Sequence, residues 1–280
     1  MQVQGTGTSY LTGVQSTGKT LKKTSSELRR ILEQLSTAQR INHASDDASG
    51  LAISEQFNTQ IRGFKIASEN AENAMSALDI ADGTAGQITD LLQRQRELAI
   101  SAKNGTLSDN DRTVLDSEFQ SLTAEIDRIS SSTQYNNQNV TSGADFVSGS
   151  AVVQAGPNAS DQITIPKVDM SLSSLGLSGN DIKTTAGADA ALTAIDSALK
   201  LVSSQRSNLG STINRLESSM SNMSVALVNT QAADSVIRDE DMARGLAELA
   251  KNRLLQEGSI KAFSRFNDIS QNHVLGLFGF

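Results

Sequence analysis

The sequence predicts a mainly α fold: an elongated antiparallel helical bundle or coiled coil of paired N- and C-terminal helices, with a small β-rich hairpin insert. Three observations support this prediction. Apolar residues recur at alternating spacings of three and four along most of the 280 residues. Only 38% of the residues are hydrophobic and 4% are aromatic, which is little material for one large core. Both prolines lie in one stretch rich in Gly, Ser and Asn. Narrow apolar stripes need partner helices to be buried.

The N-terminal segment contains the first predicted helix. Residues 1–18 are polar and rich in Gly and Thr, and we expect them to be disordered in an isolated molecule. A helix is predicted over about 19–40, because apolar residues there follow a heptad seam. The seam positions are Leu21, Leu28, Ile31, Leu35 and Ala38.

Two further helices are predicted before the insert. The same spacing over 48–102 predicts a helix about 80 Å long, at a rise of about 1.5 Å per residue. Asn104-Gly105 is a turn signal, and Ser108 or Asp109 can cap the next helix. That helix is predicted over about 109–131 and should fold back on the long one.

Residues 132–188 differ in composition from the rest of the chain. They contain both prolines and the short β-branched runs FVSGSAVVQ and SDQITIP, which are typical of hairpin strands. We therefore interpret this stretch as a module inserted between helices.

Helical spacing returns after the insert. It begins at Asp189 and continues to about Ile237, and a carboxylate within 239–241 can cap a last helix. The apolar positions predicted for that last helix are Met242, Leu246, Leu249, Leu254, Ile260, Phe263 and Ile269. The N- and C-terminal helices are similar in length and can pair with each other.

Composition excludes several classes of function. The net charge of −7 and the pI near 4.9 argue against nucleic-acid binding, which depends on Lys and Arg facing phosphates. The absence of cysteine excludes disulfides, zinc thiolates and cysteine nucleophiles. No window approaches the roughly 18 apolar residues of a membrane span. No combination of nucleophile, base or metal ligands points to an enzyme or a cofactor.

The adjacent acids Asp46 and Asp47 interrupt the helical pattern. On a helix they would lie about 100° apart and would not converge on one substrate atom or ion. Near the start of a helix they interact favourably with its positive end. We therefore interpret the pair as a joint between helical segments, in which both acids cap the long helix and offer charge to Arg40, to Arg62 or to a neighbouring subunit.

Several separated motifs, taken in order, resemble bacterial flagellins. They are LSTAQRINHASDDASGLAISEQF, NAENAMSALDIADGTAGQITDLLQRQRELAISAKNGT, EIDRISSSTQYNNQNV, SNLGSTINRLESSMSNMS and DEDMARGLAELAKNRLLQEG. The resemblance covers about 21–140 and 189–275. It implies a structural subunit that polymerises into the helical flagellar filament for swimming. Such subunits pass unfolded through the flagellar export channel to an extracellular location.

The resemblance also implies a division of the chain. Residues 1–45 and 236–280 would form the filament core, 46–140 and 189–235 an outer tube, and 141–188 a short variable β-rich module. Assembly would bury the apolar positions of the core helices. These are Leu28, Ile31, Leu35, Leu246, Leu249, Ile260 and Phe263.

The partners implied by the resemblance are mostly other flagellar proteins. They are further copies of the chain, an export chaperone at the C-terminal helix, and the filament cap and junction proteins. QRQREL matches the family segment that a host Toll-like receptor reads, which makes Arg94, Leu98 and Glu118 candidate receptor contacts.

Two other classes of protein compete with this interpretation. The hook-filament junction protein shares the terminal helices but usually has proline straight after the acidic pair, where this chain has Ala48-Ser49-Gly50. A coiled-coil signalling rod would need an uninterrupted helical tip where the β insert lies. The small residues after the acidic pair favour a filament subunit.

Overall fold

The computed structural model describes residues 4–142 and 151–278. Within these residues the helices are α1 (Gln4–Thr37), α2 (Ala48–Ala102), α3 (Asp109–Ser132), α4 (Leu172–Leu175), α5 (Thr185–Arg238) and α6 (Met242–Phe278). The strands are β1 (Gln134–Tyr135), β2 (Gln138–Asn139), β3 (Val152–Gln154) and β4 (Gln162–Thr164). The predicted fold class, a helical bundle with a small β insert, is confirmed.

The chain divides into two compact units. Unit 1 comprises 1–59 and 229–280, and unit 2 comprises 60–228. Helices α2 and α5 each contribute residues to both units. None of the described helices is both long enough and apolar enough to cross a membrane.

Unit 1 is built on the pairing of α1 with α6. On α1 the predicted seam is correct at four positions, since Ile31 is buried and Leu21, Leu28 and Leu35 are half-buried. Ala38, predicted as the fifth, is exposed and has a φ of +55°, because the helix ends at Thr37 and the chain turns there.

The N-terminal stretch expected to be disordered is helical from Gln4 onward. Its hydroxyls bond to carbonyls of the preceding turn, as Thr17 Oγ1 does to the Gly13 oxygen at 2.9 Å. Gly13 lies against the ring of Phe266, and a Cβ there would be 3.6 Å from the ring. The sequence pattern misses this because the partner helix lies at the far end of the chain.

Six of the seven apolar positions predicted for α6 are exposed in the single chain, and the seventh, Leu249, is half-buried. Leu246, Leu254 and Ile260 are 55%, 70% and 51% exposed. The least exposed residues of α6 are on average smaller or more polar than these. They are Gly245, Glu248, Leu249, Asn252, Gln256, Ser259, Ala262 and Phe266. Gly245 lets the helices approach closely, since a Cβ there would be 2.8 Å from Leu35 Cδ2.

Unit 2 has one hydrophobic core formed by α2, α3, α5 and the insert. The bounds predicted for α2 are confirmed, and α3 extends one residue beyond its predicted end. The predicted apolar spacing supplies most of the buried hydrophobic residues of these helices. These include Ala71, Leu78, Ala85, Ile88 and Leu92 of α2, Phe119 and Ile126 of α3, and Ile195, Val202, Leu209 and Leu216 of α5.

Side-chain caps set the starts of α3 and α5. Ser108 caps α3 in a capping box, with its Oγ accepting from the Asp111 N–H and the Asp111 carboxylate accepting from the Ser108 N–H. Helix α5 begins four residues earlier than predicted. Thr184 Oγ1 accepts from the Gly187 N–H at 3.0 Å, which satisfies a free donor in the first turn.

The insert contains the predicted hairpin and contributes to the core. Strands β3 and β4 pair antiparallel, with Val153 opposite Ile163, which confirms the interpretation of SDQITIP and of the end of FVSGSAVVQ. Residues 146–150 lie outside the described residues. Several apolar side chains of the insert are buried in the core of unit 2. They are Ile165, Val168, Met170, Leu175, Leu177 and Ile182.

A second hairpin, β1–β2, was not predicted. Its turn residues, Asn136 and Asn137, have φ values of 49° and 62°. Positive φ at both central residues is typical of a type I′ turn, which matches the twist of paired strands. The sequence signal was the Asn-Asn pair in QYNNQN.

Candidate functional site: the joint of the terminal helices

The loop after α1 pairs with the loop before α6. Gln39 and Asp239 form an antiparallel β-bridge. The Arg40 N–H donates to the Arg238 oxygen at 2.7 Å, and the Glu240 N–H donates to the Ala38 oxygen at 3.1 Å. We call residues 38–47 and 237–241 the joint. It ties together two segments that lie about 200 residues apart in sequence.

Two arginines reinforce the joint from opposite sides. Arg40 Nη2 donates to the Ile237 oxygen at 2.5 Å, which places a cation at the C-terminal end of α5. Arg238 Nε donates to Gln39 Oε1 at 3.1 Å, and its Nη1 lies 3.4 Å from Glu55 Oε1. Each arginine thus binds the segment that carries the other. The Arg40 guanidinium donates to this carbonyl, and its charge is the smallest of the causes that lower the pKa of Asp47.

The two adjacent acids act at different places. Asp47 Oδ1 accepts from the Gly50 N–H at 2.9 Å and from Ser49 Oγ at 2.7 Å, so it caps α2. These bonds, that of Gly50 first, lower the pKa of Asp47 below its ordinary value. Asp46 Oδ2 accepts instead from the N–H groups of Asn42 and His43, at 3.2 and 3.0 Å. Asp46 therefore closes the loop, and the prediction that both acids cap the helix is wrong for Asp46.

Close packing holds the loop against the start of α2. The Ile41 side chain is 1% exposed. A Cβ on Gly50 would lie 2.8 Å from Ile41 Cδ1 and would also overlap the Asp47 carboxylate. The small residues after the acidic pair therefore serve a contact within the chain. A larger residue at position 50 would require the Ile41 and Asp47 side chains to move.

The candidate receptor contacts lie in unit 2 and differ in accessibility. Arg94 is exposed and donates to Glu118 Oε1 from Nε at 3.0 Å and from Nη2 at 2.7 Å. This pairing, followed by that with Glu97, raises the pKa of Arg94 above its usual value. Leu98 is only 4% exposed and packs in the core. The structure thus brings Arg94 and Glu118 together on the surface, whereas burial removes Leu98 as a surface contact.

Sequence reasoning missed Gln39, Arg238 and Asp239 as parts of the joint. Nothing in a single sequence pairs residues about 200 positions apart, and each lies in a polar turn that resembles an ordinary capping segment. Among the described residues, no group of three His, Cys, Asp or Glu side chains is arranged to hold a metal ion. The joint has the character of a structural connection.

Comparison with known protein families and proteins identifies relatives over most of the chain. Residues 9–145 match the bacterial flagellin N-terminal helical region, and residues 192–278 match the bacterial flagellin C-terminal helical region. A flagellin of Halalkalibacterium halodurans is 39% identical over 245 residues, which cover 87% of this chain and 89% of the relative. A flagellin of Bacillus subtilis is 36% identical over 283 residues, covering 90% and 93%. The flagellar filament 31.3 kDa core protein of Treponema maltophilum is 37% identical over 254 residues, covering 86% and 89%.

Solved structures agree with this assignment. The crystal structure of Bacillus cereus flagellin is similar with a TM-score of 0.50 at 30% identity, covering 55% of this chain and 88% of that one. A putative flagellar hook-associated protein from Vibrio parahaemolyticus has a TM-score of 0.57 at 16% identity, covering 69% and 99%, and this similarity concerns the fold alone. The two family regions and the closely similar relatives together account for both helical ends of the chain, and the chain belongs to the bacterial flagellin family.

Proposed function

We propose that this chain is a structural subunit that polymerises into the helical flagellar filament, and that the exposed apolar face of α6 is a main contact between subunits. Its relatives are flagellins and filament core proteins, which favour a filament subunit over a hook-filament junction protein. The observation that carries the proposed contact is the exposure of large apolar side chains along one helix. Large apolar side chains exposed together on one face are typical of an interaction site.

The exposed apolar face of α6 is defined by four side chains that lie within about 120° of one another around the helix. They are Met242, Leu246, Leu254 and Ile260. Burying one large apolar side chain completely is worth about 1.5–3 kcal/mol. Several partly exposed ones on each subunit therefore supply a substantial driving force for association. Contacts between two different surfaces of identical subunits produce open helical polymers when the rotation does not close.

In this proposal the joint connects the end of α1 to the start of α6 and so holds these two paired helices together. Residues 1–45 and 236–280 form the filament core, and the adjoining helical segments 46–140 and 189–235 form the outer tube. Asp47 starts α2 immediately after the loop that the Arg40 contact secures. Residues 141–188 then form the outer module of each subunit.

The other partners follow from the same assignment. Before assembly, the apolar face of α6 would be covered by the export chaperone, and the chain would leave the cell unfolded through the flagellar channel. At the filament ends the cap and junction proteins would meet the same terminal helices. Arg94 and Glu118 would be the surface contacts for a Toll-like receptor that senses the free subunit.

The proposed contact is tested with variants of the full chain. Leu254→Ser together with Ile260→Ser should abolish filaments, because both side chains are more than half exposed and belong to this face. Lys251→Ser on the same helix is the matched control and should assemble normally, since Lys251 is exposed and polar. Sedimentation and electron microscopy report polymer formation, and circular dichroism reports retained helix. Long filaments from the double variant would refute the contact, and short caps from the unaltered chain would favour a junction protein.

A further inference from the structure

The turn between α2 and α3 contains the single Asn-Gly pair of the sequence, Asn104-Gly105. Both residues are exposed and lie outside the helices. In such a pair the peptide nitrogen of the glycine can attack the asparagine carboxamide, because no side chain on the second residue obstructs the approach. The Asn-Gly pair that predicts the turn is thus also a position where the asparagine side chain can react.

The hydrogen bonds around this pair favour that attack. Among the described residues, the Gly105 N–H has no hydrogen-bond acceptor, so its nitrogen is free to act as the nucleophile. Asn104 Oδ1 accepts from the Thr106 N–H at 3.2 Å. The ring closed by this bond contains both the Asn104 carboxamide carbon and the Gly105 nitrogen. The Thr106 N–H also stabilises the negative charge that develops on Oδ1 as the nitrogen adds.

We propose that Asn104 is a site of spontaneous deamidation. The Gly105 nitrogen loses its proton and forms a bond to Asn104 Cγ, the bond from Cγ to the side-chain nitrogen breaks, and ammonia leaves with that proton. The product is a cyclic succinimide. Water then adds to one of its two carbonyl carbons and opens the ring, to give aspartate or isoaspartate. Only solvent water is consumed, and the chain gains one negative charge.

Arg112 determines which product forms. Its guanidinium is nearly buried, and Nη2 donates to the main-chain oxygen of Asn104 at 3.1 Å. Nε donates to the Ala102 oxygen at 3.0 Å and keeps the group in place. A cation on the main-chain carbonyl of Asn104 polarises that carbon for attack by water. Opening there yields isoaspartate, whose free carboxylate keeps the oxygen that Arg112 already binds.

The test uses the full chain incubated in neutral buffer. Trypsin cleavage after Lys103 and Arg112 releases the peptide NGTLSDNDR, which also contains Asn110. Asn110 is the internal control because it lies in α3 and the next N–H, of Asp111, is bonded to Ser108 Oγ. We expect a gain of one dalton at Asn104 about tenfold faster than at Asn110, which corresponds to about 1.4 kcal/mol in activation free energy. Fragmentation of the peptide separates the two positions.

The matched variant is Gly105→Ala. A Cβ at this position would meet nothing within 4 Å, and φ is not in the left-handed region, so the variant should fold normally. Its added methyl should slow conversion of Asn104 about tenfold. Equal rates at Asn104 and Asn110, or an unchanged rate in Gly105→Ala, would overturn the site. A ratio of isoaspartate to aspartate no higher than that formed by a free synthetic peptide of residues 100–116, in which Arg112 is not held against Asn104, would overturn the role of Arg112.

Discussion

Gly63 on α2 tests whether the insert is packed against the long helix or is separate from it. A Cβ at position 63 would lie 2.7 Å from Pro157 Cβ and 3.2 Å from Pro157 Cα, so Gly63→Ala requires the insert to shift. Gly83 on the same helix has nothing within 4 Å of an added Cβ. It provides a control in which only helix propensity changes.

The two alanine variants should change stability in opposite directions. Replacing glycine with alanine inside a helix stabilises by about 1 kcal/mol. Gly83→Ala should show that gain. Overpacking against a well-packed neighbour costs about 1–3 kcal/mol, so Gly63→Ala should fall below Gly83→Ala by about that amount. Because the contact with Pro157 includes a main-chain atom, rotating side chains cannot by itself remove the overlap.

The assay is urea unfolding of the full chain, followed by circular dichroism. A difference of about 2 kcal/mol corresponds to a midpoint shift of about 1 M urea for a slope near 2 kcal/mol per molar. Adding Pro157→Gly to both variants should remove the difference, because the two residues interact only through their contact. If Gly63→Ala stabilised the chain as much as Gly83→Ala, the insert would not be packed on α2 as described.

Two further predictions concern the turn between α2 and α3. The pKa of Asp111 is lowered, first by the Ser108 hydroxyl and then by the Ser108 N–H. The ionised carboxylate therefore stabilises the fold above the ordinary aspartate pKa of 3.8, and this stabilisation is lost as the pH falls through the lowered pKa. Asp111→Asn should therefore be less stable than the unaltered chain near neutral pH and equal to it in strong acid, whereas a constant deficit at every pH would contradict the capping box. Arg112→Met should lower the free energy of unfolding by about 3 kcal/mol, because it removes charged hydrogen bonds to the carbonyls of Ala102 and Asn104. Arg128→Met, at an exposed arginine of α3, should change the free energy of unfolding far less, and equal effects of the two changes would contradict a special role for Arg112.

The long helices could be predicted from sequence because their information is local. The bounds of α2 and the buried positions Leu78, Leu92, Ile195 and Leu209 follow from a regular apolar spacing. The cap at Ser108 follows equally from the residue type and its place before the repeat. In these helices the residues that the apolar spacing predicts to be buried are also the ones that the tertiary contacts bury.

The side of α6 that faces α1 could not be predicted in this way. Spacing identifies the most apolar side as the seam, but α1 packs against a side that includes Gly245 and Ser259 and leaves Leu254 in solvent. A helix with more apolar surface than one partner can cover has two candidate seams, and a single sequence does not rank them. The joint escaped prediction for a different reason, since Gln39 and Asp239 meet only through the tertiary fold.

The most direct test of the proposed subunit contact is the structure of the assembled polymer, determined by electron cryo-microscopy. Leu246, Leu254 and Ile260 are each more than half exposed in the single chain. The proposal predicts that all three are buried against neighbouring subunits within a helical filament. A filament in which these side chains still face solvent would contradict it.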